Sequence, residues 1–323
     1  MSSMSNAIVS NPGWRDYWKA DRRASCMPEN EHTAQEIAAT WQRWFGECAG
    51  GSRILDIATG NGIVLTHAAA AGRALNRAFA LTGVDLADID PLRYVTSLED
   101  DMRAARFIGG VAAEQLPFEA GSFDAVVSQY GLEYADMSRA LAEVARVLAP
   151  GGTLHWLAHS DASEVVVQNR EQAREVEYLL APRGPVHYMN TFVARQRRRK
   201  DMQYSINMLN ESFAQAYEFC KTHPPAKVVQ EVCSGFADIA NRWQAFDPAD
   251  LAQMLAQAQQ RLVGHRARIE SLLGAVLTPT RLQSVEACLT RAPWRNLTIA
   301  AVRVGEGPSE IGVHVRAERG GGS

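Results

Sequence analysis

Hydrophobic positions along the chain follow two rhythms. Short apolar runs bounded by glycine, proline or aspartate alternate with longer stretches whose apolar residues recur every three or four positions. The first run is Arg53–Ala58 (RILDIA), followed by an alanine-rich helical stretch from Ile63 to Leu75. Leu81–Leu86 (LTGVDL) predicts a second strand, Phe107–Val111 a weaker third and Phe123–Gln129 (FDAVVSQ) a fourth. Asp136 is placed to cap a helix whose apolar face is Met137, Leu141, Val144 and Leu148. A turn at Pro150-Gly151-Gly152 leads to a fifth strand, Thr153–Ala158 (TLHWLA). Strands alternating with helices predict a parallel sheet covered on both faces, and right-handed crossovers make it doubly wound.

The flanks differ. An aromatic segment with Trp14, Tyr17 and Trp18 precedes a helix in which Thr33 and Glu36 have capping-box spacing. Ile37, Trp41, Trp44 and Phe45 share one face of that helix, and Gly50-Gly51 closes it. From about Ser163 to Leu277 strand signals stop and helical patterns take over, with Asp247-Pro248 as an N-cap and first-turn pair. Leu282, Val285 and Leu289 mark a last helix. Asn296–Val304 and Ile311–Ala317 then predict two strands joined by Gly305-Glu306-Gly307-Pro308, a turn short enough for an antiparallel hairpin. The expected fold is α/β: a doubly wound, mostly parallel, seven-stranded Rossmann-like sheet with a C-terminal antiparallel hairpin and an inserted helical lid. The expected partition is an N-terminal helical cap (1–49), a core (50–162), a helical insertion forming a substrate lid (163–277), and completion of the sheet with a flexible tail (278–323).

Composition narrows the class. Of 323 residues, 46% are hydrophobic and 21% charged, which excludes a disordered chain, a collagen-like repeat and a coiled coil. Thirty-three basic against 36 acidic residues give a formal charge of -3, which disfavours a nucleic-acid-coating surface. The basic run Arg195, Arg197, Arg198, Arg199 and Lys200 can hold an anion, but reads first as a solvated helix face. The N-terminus has no apolar h-region, and no window approaches the ~20 apolar residues of a membrane span. Cys26, Cys48, Cys220, Cys233 and Cys288 include no C-x-x-C pair, so no metal site is expected. The expectation is a cytoplasmic protein with free thiols; the sequence leaves its oligomeric state open.

The chemistry concentrates in Leu55-Asp56-Ile57-Ala58-Thr59-Gly60-Asn61-Gly62, which leaves a strand and enters a helix. Gly60 and Gly62 permit a tight turn and close backbone approach, and the helix start favours a negative group. Asp85 ends the next strand, where a carboxylate accepts from both hydroxyls of a ribose. Two ligand classes fit. A dinucleotide wants G-x-G-x-x-G, but the third position is Leu65, and Asp56 suits a pyrophosphate poorly. An amino-acid moiety, whose ammonium wants a carboxylate, suits Asp56 well. S-adenosylmethionine is a nucleoside carrying such a moiety. An ordinary strand–helix turn without ligand gives the same local pattern.

Four segments in register decide the matter. LDIATGNG, GVDLAD, AEQLPFEAGSFDAVVSQYGLEYAD and ALAEVARVLAPGGTLHWL resemble successive motifs of the class I S-adenosylmethionine-dependent methyltransferases over about residues 50–160. The A-T-G-x-G loop is also similar to that of quinone-biosynthesis C-methyltransferases. The resemblance implies S-adenosylmethionine as cofactor. It implies Asp56 on the methionine ammonium; Ala58, Gly60 and Gly62 under the cofactor, with Asn61 at the helix start; and Asp85 on the ribose. Leu86, Ala113, Glu114 and Gln115 would lie at the adenine, and Ser128 and Gln129 near the sulfonium. Family members often carry Asp two residues before the position of Glu114; this chain has Ala112 there, so adenine recognition falls to backbone groups, Glu114 or Gln115.

An in-line methyl transfer needs mainly alignment, and a base only where the nucleophile must lose a proton. Candidates follow the strand ends: Tyr130, Glu133 and His159. His159 reads as a base or as a hydrogen-bonded structural histidine, Glu133 as a structural or orienting carboxylate, and Tyr130 as a pocket wall. Trp14, Tyr17 and Trp18 read as a cover for the sulfonium or as plain packing. The expected function is methyl transfer to a small or medium-sized organic acceptor. A catalytically silent S-adenosylmethionine-binding interaction protein, or a nicotinamide-dependent oxidoreductase, are the alternatives, the second opposed by Leu65 and Asp56.

Overall fold

The computed structural model describes residues 14, 17–19, 31–96, 100–198, 200–304 and 309–321. Cys26, Arg199, the turn at 305–308 and the last two residues of the tail lie outside the described residues. The chain divides into two compact units, Met1–Val167 with Gly274–Ser323, and Gln168–Leu273.

The first unit is built on a seven-stranded sheet in the order β3-β2-β1-β4-β5-β7-β6. Its strands are β1 (Arg53–Ile57), β2 (Ala80–Val84), β3 (Arg106–Ile108), β4 (Phe123–Gln129), β5 (Leu148–Ala158), β6 (Trp294–Arg303) and β7 (Glu310–Arg319). The first five run parallel, and β7 lies antiparallel between β5 and β6. This is a mixed, mostly parallel, Rossmann-like sheet with an antiparallel C-terminal hairpin. The helices are α1 (Glu31–Phe45), α2 (Ile63–Leu75), the short α3 (Pro91–Tyr94) and α4 (Asp100–Arg103), α5 (Met137–Val147), the start of α6 (Glu164–Leu180), and α11 (Pro279–Leu289).

Alternation along the strands fills two cores, because side chains of a strand point to opposite faces in turn. Leu55, Val126, Leu154 and Trp156 pack with Leu141 and Val144 of α5 and Val285 and Leu289 of α11. Ile54, Ala125, Val127 and Leu157 pack on the other face with Ile37, Trp41, Trp44 and Phe45 of α1 and Val64 and Leu65 of α2. The Asp136 carboxylate caps α5 by accepting from Arg139 N at 3.1 Å.

Two local expectations are corrected. Thr33 lies inside α1, whose helix already includes Glu31, instead of before it, and its buried hydroxyl has no partner among the described residues. The Pro150-Gly151-Gly152 segment is not a turn between α5 and β5 but a bulge within β5. Phe123 pairs with Leu148 and Ala125 with Thr153, and Gly151, at φ +82°, lets the intervening residues bow out.

The second unit is helical. It contains the rest of α6, α7 (Pro185–Arg197), α8 (Gln203–Thr222), α9 (Lys227–Asn241) and most of α10 (Pro248–Ala275). Leu179, Met189, Phe192, Leu209, Val229, Phe236 and Leu255 form its own core. Asp247 accepts from Ala249 N at 2.7 Å and starts α10 as the sequence predicts. The buried Glu175 does the same for α9, accepting from Val229 N at 3.0 Å.

Candidate active site at the strand tips

The chain runs outward from β1 through β2 to β3 and then crosses back to β4, so the sheet reverses direction between β1 and β4. Open α/β sheets bind ligands at the carboxyl ends of their strands beside such a reversal. The residues there are Asp56 on β1, the loop Ala58–Gly62, Asp85 just beyond β2, and Ser128 and Gln129 on β4.

The loop from β1 into α2 is held in a tight left-handed path. Ala58, Gly60 and Gly62 all have positive φ, at 58°, 50° and 83°. Gly60 has a second constraint: a methyl group there would come within 2.5 Å of the Trp18 ring. The Asn61 amide donates to the Trp18 carbonyl at 3.2 Å, so the N-terminal segment is tied to the same turn. Trp14 stacks with Trp18 at 6.3 Å between ring centroids and meets Tyr134 edge-on at 6.2 Å.

The two aspartates at the strand tips are both buried, and they differ. Asp85 is satisfied: Oδ2 accepts from Gly60 N at 2.9 Å and Oδ1 from Ala87 N at 2.8 Å. Burial pushes its carboxyl up to about 6, with those two amides opposing the rise. Asp56 is 1% exposed, and neither of its carboxylate oxygens has a hydrogen-bond partner among the described residues. Burial pushes it up to about 8; the nearby Thr59 hydroxyl opposes this, and the Asp85 carboxyl adds to it. A buried acidic side chain left unpartnered beside a glycine loop is a receptor for a cation that donates hydrogen bonds.

Beyond Asp85, Leu86 is half-buried, and Val111 N donates to the Asp85 carbonyl at 2.9 Å, bringing the loop after β3 alongside. Ala113 packs on the first core. Glu114 is half-buried and accepts from Asp136 N at 2.8 Å with Oε1, while Gln115 is exposed. On β4, the Ser128 hydroxyl donates to Ile57 O at 2.8 Å and accepts from Leu132 N at 3.0 Å, locking β4 to β1. Gln129 Oε1 accepts from the Trp41 indole of α1. Tyr130, at φ 54°, donates its hydroxyl to Ile311 O at 2.8 Å and stacks on His159 at 4.5 Å.

His159 is fully buried just past β5, and its Nδ1 lies 2.6 Å from Oε1 of Glu133, also fully buried. The same oxygen accepts from His159 N at 2.9 Å, and Oε2 accepts from Trp156 Nε1 at 2.9 Å. Burial pushes the Glu133 carboxyl up, but the hydrogen bonds from His159, and its charge when the ring is protonated, outweigh this and hold it below the usual carboxylate range. Arg281 of α11 donates to the Glu133 carbonyl at 2.8 Å.

The structure therefore brings Asp56, Ala58, Gly60, Asn61, Gly62, Asp85, Ser128 and Gln129 to adjacent strand tips. Leu86, Ala113 and Glu114 lie on the β2–β3 side, and Tyr130 and His159 on the β5 side. Sequence reasoning missed three neighbours. Gly131 faces Ala58 so closely that a side chain would collide with it. Trp41 holds Gln129, and Arg281 holds the Glu133 turn. Their partners are far away in sequence, so no local spacing marks them; the glycine at 131 was the one visible cue.

In the helical unit, Arg195 donates to the Asp201 carbonyl at 2.7 Å and its guanidinium lies over the Tyr204 ring. Arg197, Arg198 and Lys200 are exposed at the carboxyl end of α7, where basic side chains complement the helix dipole. Among the described residues, no group of three or more His, Cys, Asp or Glu side chains is arranged to hold a metal ion. No described helix is long and apolar enough to cross a membrane.

A family model described as a methyltransferase domain matches residues 55–156. The ubiquinone/menaquinone biosynthesis C-methyltransferase UbiE of Psychromonas ingrahamii is 31% identical over 141 residues, 41% of this chain and 53% of that protein. The mitochondrial 2-methoxy-6-polyprenyl-1,4-benzoquinol methylase of Leishmania donovani is 33% identical over 149 residues, 41% of this chain and 51% of that protein. The chain thus spans about half the length of these curated relatives. Among solved structures, the methyltransferase bound to the Trm112 activator of Haloferax volcanii aligns with 51% of this chain and 66% of its own, at 23% identity and a TM-score of 0.35. Residues 55–156 are a methyltransferase domain of the class I S-adenosylmethionine-dependent family.

Proposed function

We propose that this protein transfers a methyl group from S-adenosylmethionine to a small or medium-sized organic acceptor by in-line displacement. One observation carries the reading: a carboxylate at the sheet's reversal point, 1% exposed, has no hydrogen-bond partner for either oxygen among the described residues. The residues present fit the cofactor. Asp56 receives the methionine ammonium. The backbone of Ala58, Gly60 and Gly62 passes beneath, with Asn61 at the start of α2. Asp85 gives one lone pair of each oxygen to a backbone amide and keeps the others for the ribose hydroxyls. Leu86, Ala113 and Glu114 line the adenine end. Ser128 and Gln129 close the site near the sulfonium by shape, because their polar atoms already hold β1 and α1.

The bound cofactor supplies an electrophilic methyl group. The protein's share is to align an acceptor with it, which contributes ~7–11 kcal/mol where the geometry is good. Tyr130 serves as a wall, since its hydroxyl is committed to Ile311 O. His159 takes the acceptor's proton where one must leave. The matched relatives share only about half of their length with this chain, so their quinone acceptors are not carried over.

Calorimetric titration with S-adenosylmethionine and S-adenosylhomocysteine tests the cofactor reading. Binding that is lost in Asp56→Asn supports it; no binding to the unaltered protein rejects it. Conversion to S-adenosylhomocysteine in a metabolite extract then separates an enzyme from a silent binding protein.

A further inference from the structure

We propose that Glu133 is a positioning residue that fixes the His159 imidazole in the tautomer protonated on Nδ1, so that Nε2 is the atom that receives a proton from the acceptor. The inference rests on the methyltransferase reading and concerns acceptors whose nucleophilic atom arrives carrying a proton.

The geometry of the donors forces the assignment. Oε2 of Glu133 faces the Trp156 indole N–H, and Oε1 faces the His159 backbone N–H. Both groups can only donate. These two donors stabilise the charged carboxylate, and together with His159 they hold Glu133 below the usual carboxylate range, so Glu133 is ionised. Its third short contact, 2.6 Å from Oε1 to Nδ1 of His159, then requires the hydrogen on Nδ1. In the neutral ring, Nε2, on the far side, then carries the lone pair.

The surroundings hold this arrangement in place. Tyr130 stacks on the imidazole, and Tyr134 meets it edge-on at 6.2 Å. Arg281, the cation beside the pair, donates to the Glu133 carbonyl from α11 and fixes the turn that carries the carboxylate. Among the described residues, the titratable and charged groups placed beside the pair include Glu133, Tyr130, Tyr134 and Arg281. Gly131, two residues before Glu133, lies against Ala58 of the glycine loop, so the dyad and the cofactor loop share one rigid edge. The ring is fully buried, with Tyr134 at its edge and Trp14 against Tyr134.

The step balances. The proton of the acceptor's X–H bond passes to Nε2, and the electron pair left on X forms the new bond to the methyl carbon. The methyl–sulfur bond breaks with its pair staying on sulfur. The imidazolium so formed is met by the Glu133 carboxylate, which keeps its charge throughout.

Nitrogen NMR of the histidine side chains reads the tautomer directly, with the His159 signal assigned by its absence in His159→Asn. The expected result is a neutral ring protonated on Nδ1, and in Glu133→Gln a titration midpoint at least one pH unit lower, a tenfold loss of proton affinity. The glutamine amide would oppose the Trp156 N–H, so Glu133→Gln with Trp156→Phe is the second variant, with the same shift expected. A neutral ring protonated on Nε2 in the unaltered protein, or a midpoint moved by less than 0.3 unit in a folded variant, overturns the proposal. Calorimetry separates the two readings. S-adenosylmethionine affinity retained within threefold in the Glu133 variants leaves the cofactor reading intact whatever the tautomer; absence of binding to the unaltered protein sinks the methyltransferase reading on which this one rests.

Discussion

The tips of β1 and β2 end in the same residue type at nearly the same depth, yet Asp56 and Asp85 are in opposite states. Asp85 spends both oxygens on backbone amides, and one of them, Gly60 N, belongs to the glycine loop. It is part of the scaffold that shapes the loop before any ligand arrives. Asp56 spends neither oxygen, and burial raises its carboxyl further than that of Asp85. Burial alone does not single out a binding group; a buried carboxyl without a partner carries a desolvation cost when ionised that a proton or a cationic ligand offsets. Glu133 falls on the Asp85 side of this contrast, with three donors around one carboxylate.

Substitution separates the two aspartates most sharply. Asp56→Asn is expected to weaken S-adenosylmethionine binding by about 30- to 150-fold, the worth of a charge-assisted contact of ~2–3 kcal/mol, measured by calorimetry. The same change stabilises the free protein at high pH. A carboxyl whose folded-state value is raised is neutral in both states under acid conditions, and its penalty accumulates from about 4 upward to about 8. The variant therefore melts above the unaltered protein at pH 8 and with it near pH 4. Asp85→Asn should do the reverse. It replaces one of two backbone acceptors by a donor and costs ~1–3 kcal/mol of stability, read from urea unfolding. If both variants lose stability equally, the contrast is wrong.

The contrast also sets a pH dependence. Below about 8 the free Asp56 carboxyl holds a proton that an incoming ammonium must expel. Affinity should rise roughly tenfold per pH unit from 6 to 7 and level off near 8. At pH 7 about one proton should be released per ligand bound, measured in two buffers of different ionisation enthalpy. The smallest expected effect is at the loop itself. Gly60→Ala puts a side chain at φ 50° and against Trp18, for a loss of ~1–2 kcal/mol. Part of it should return when Trp18→Ala is added, as a double-mutant cycle of thermal melts would reveal.

The strand–helix alternation was legible from the sequence because its signals are local. Apolar runs such as FDAVVSQ between turn residues predict β4 without reference to any partner, and Asp136 and Asp247 announce the helices they cap. Elements that depend on distant pairing were misplaced. Thr33 has the right spacing for a cap but sits within a helix already begun, and Pro150-Gly151-Gly152 has the composition of a turn but is held as a bulge by its pairing with β4. In the candidate site, Asp56, the glycine loop and Asp85 were visible as types in order. That Trp18 lies on Gly60, and that Arg281 holds the Glu133 turn, was not.

Sequence alone determined which chemistry the strand tips can offer: two carboxylates, a turn built from small residues, and a histidine beyond the fifth strand. Only the tertiary structure decided which of these groups is already satisfied. Residue type and periodicity act over a few neighbours, whereas the partner of a buried carboxylate is set by strand order and crossovers that bring residues 25 positions apart, as Gly60 and Asp85 are, within 2.9 Å. The same folding leaves both carboxylate oxygens of Asp56, on the adjacent strand, without a hydrogen-bond partner among the described residues.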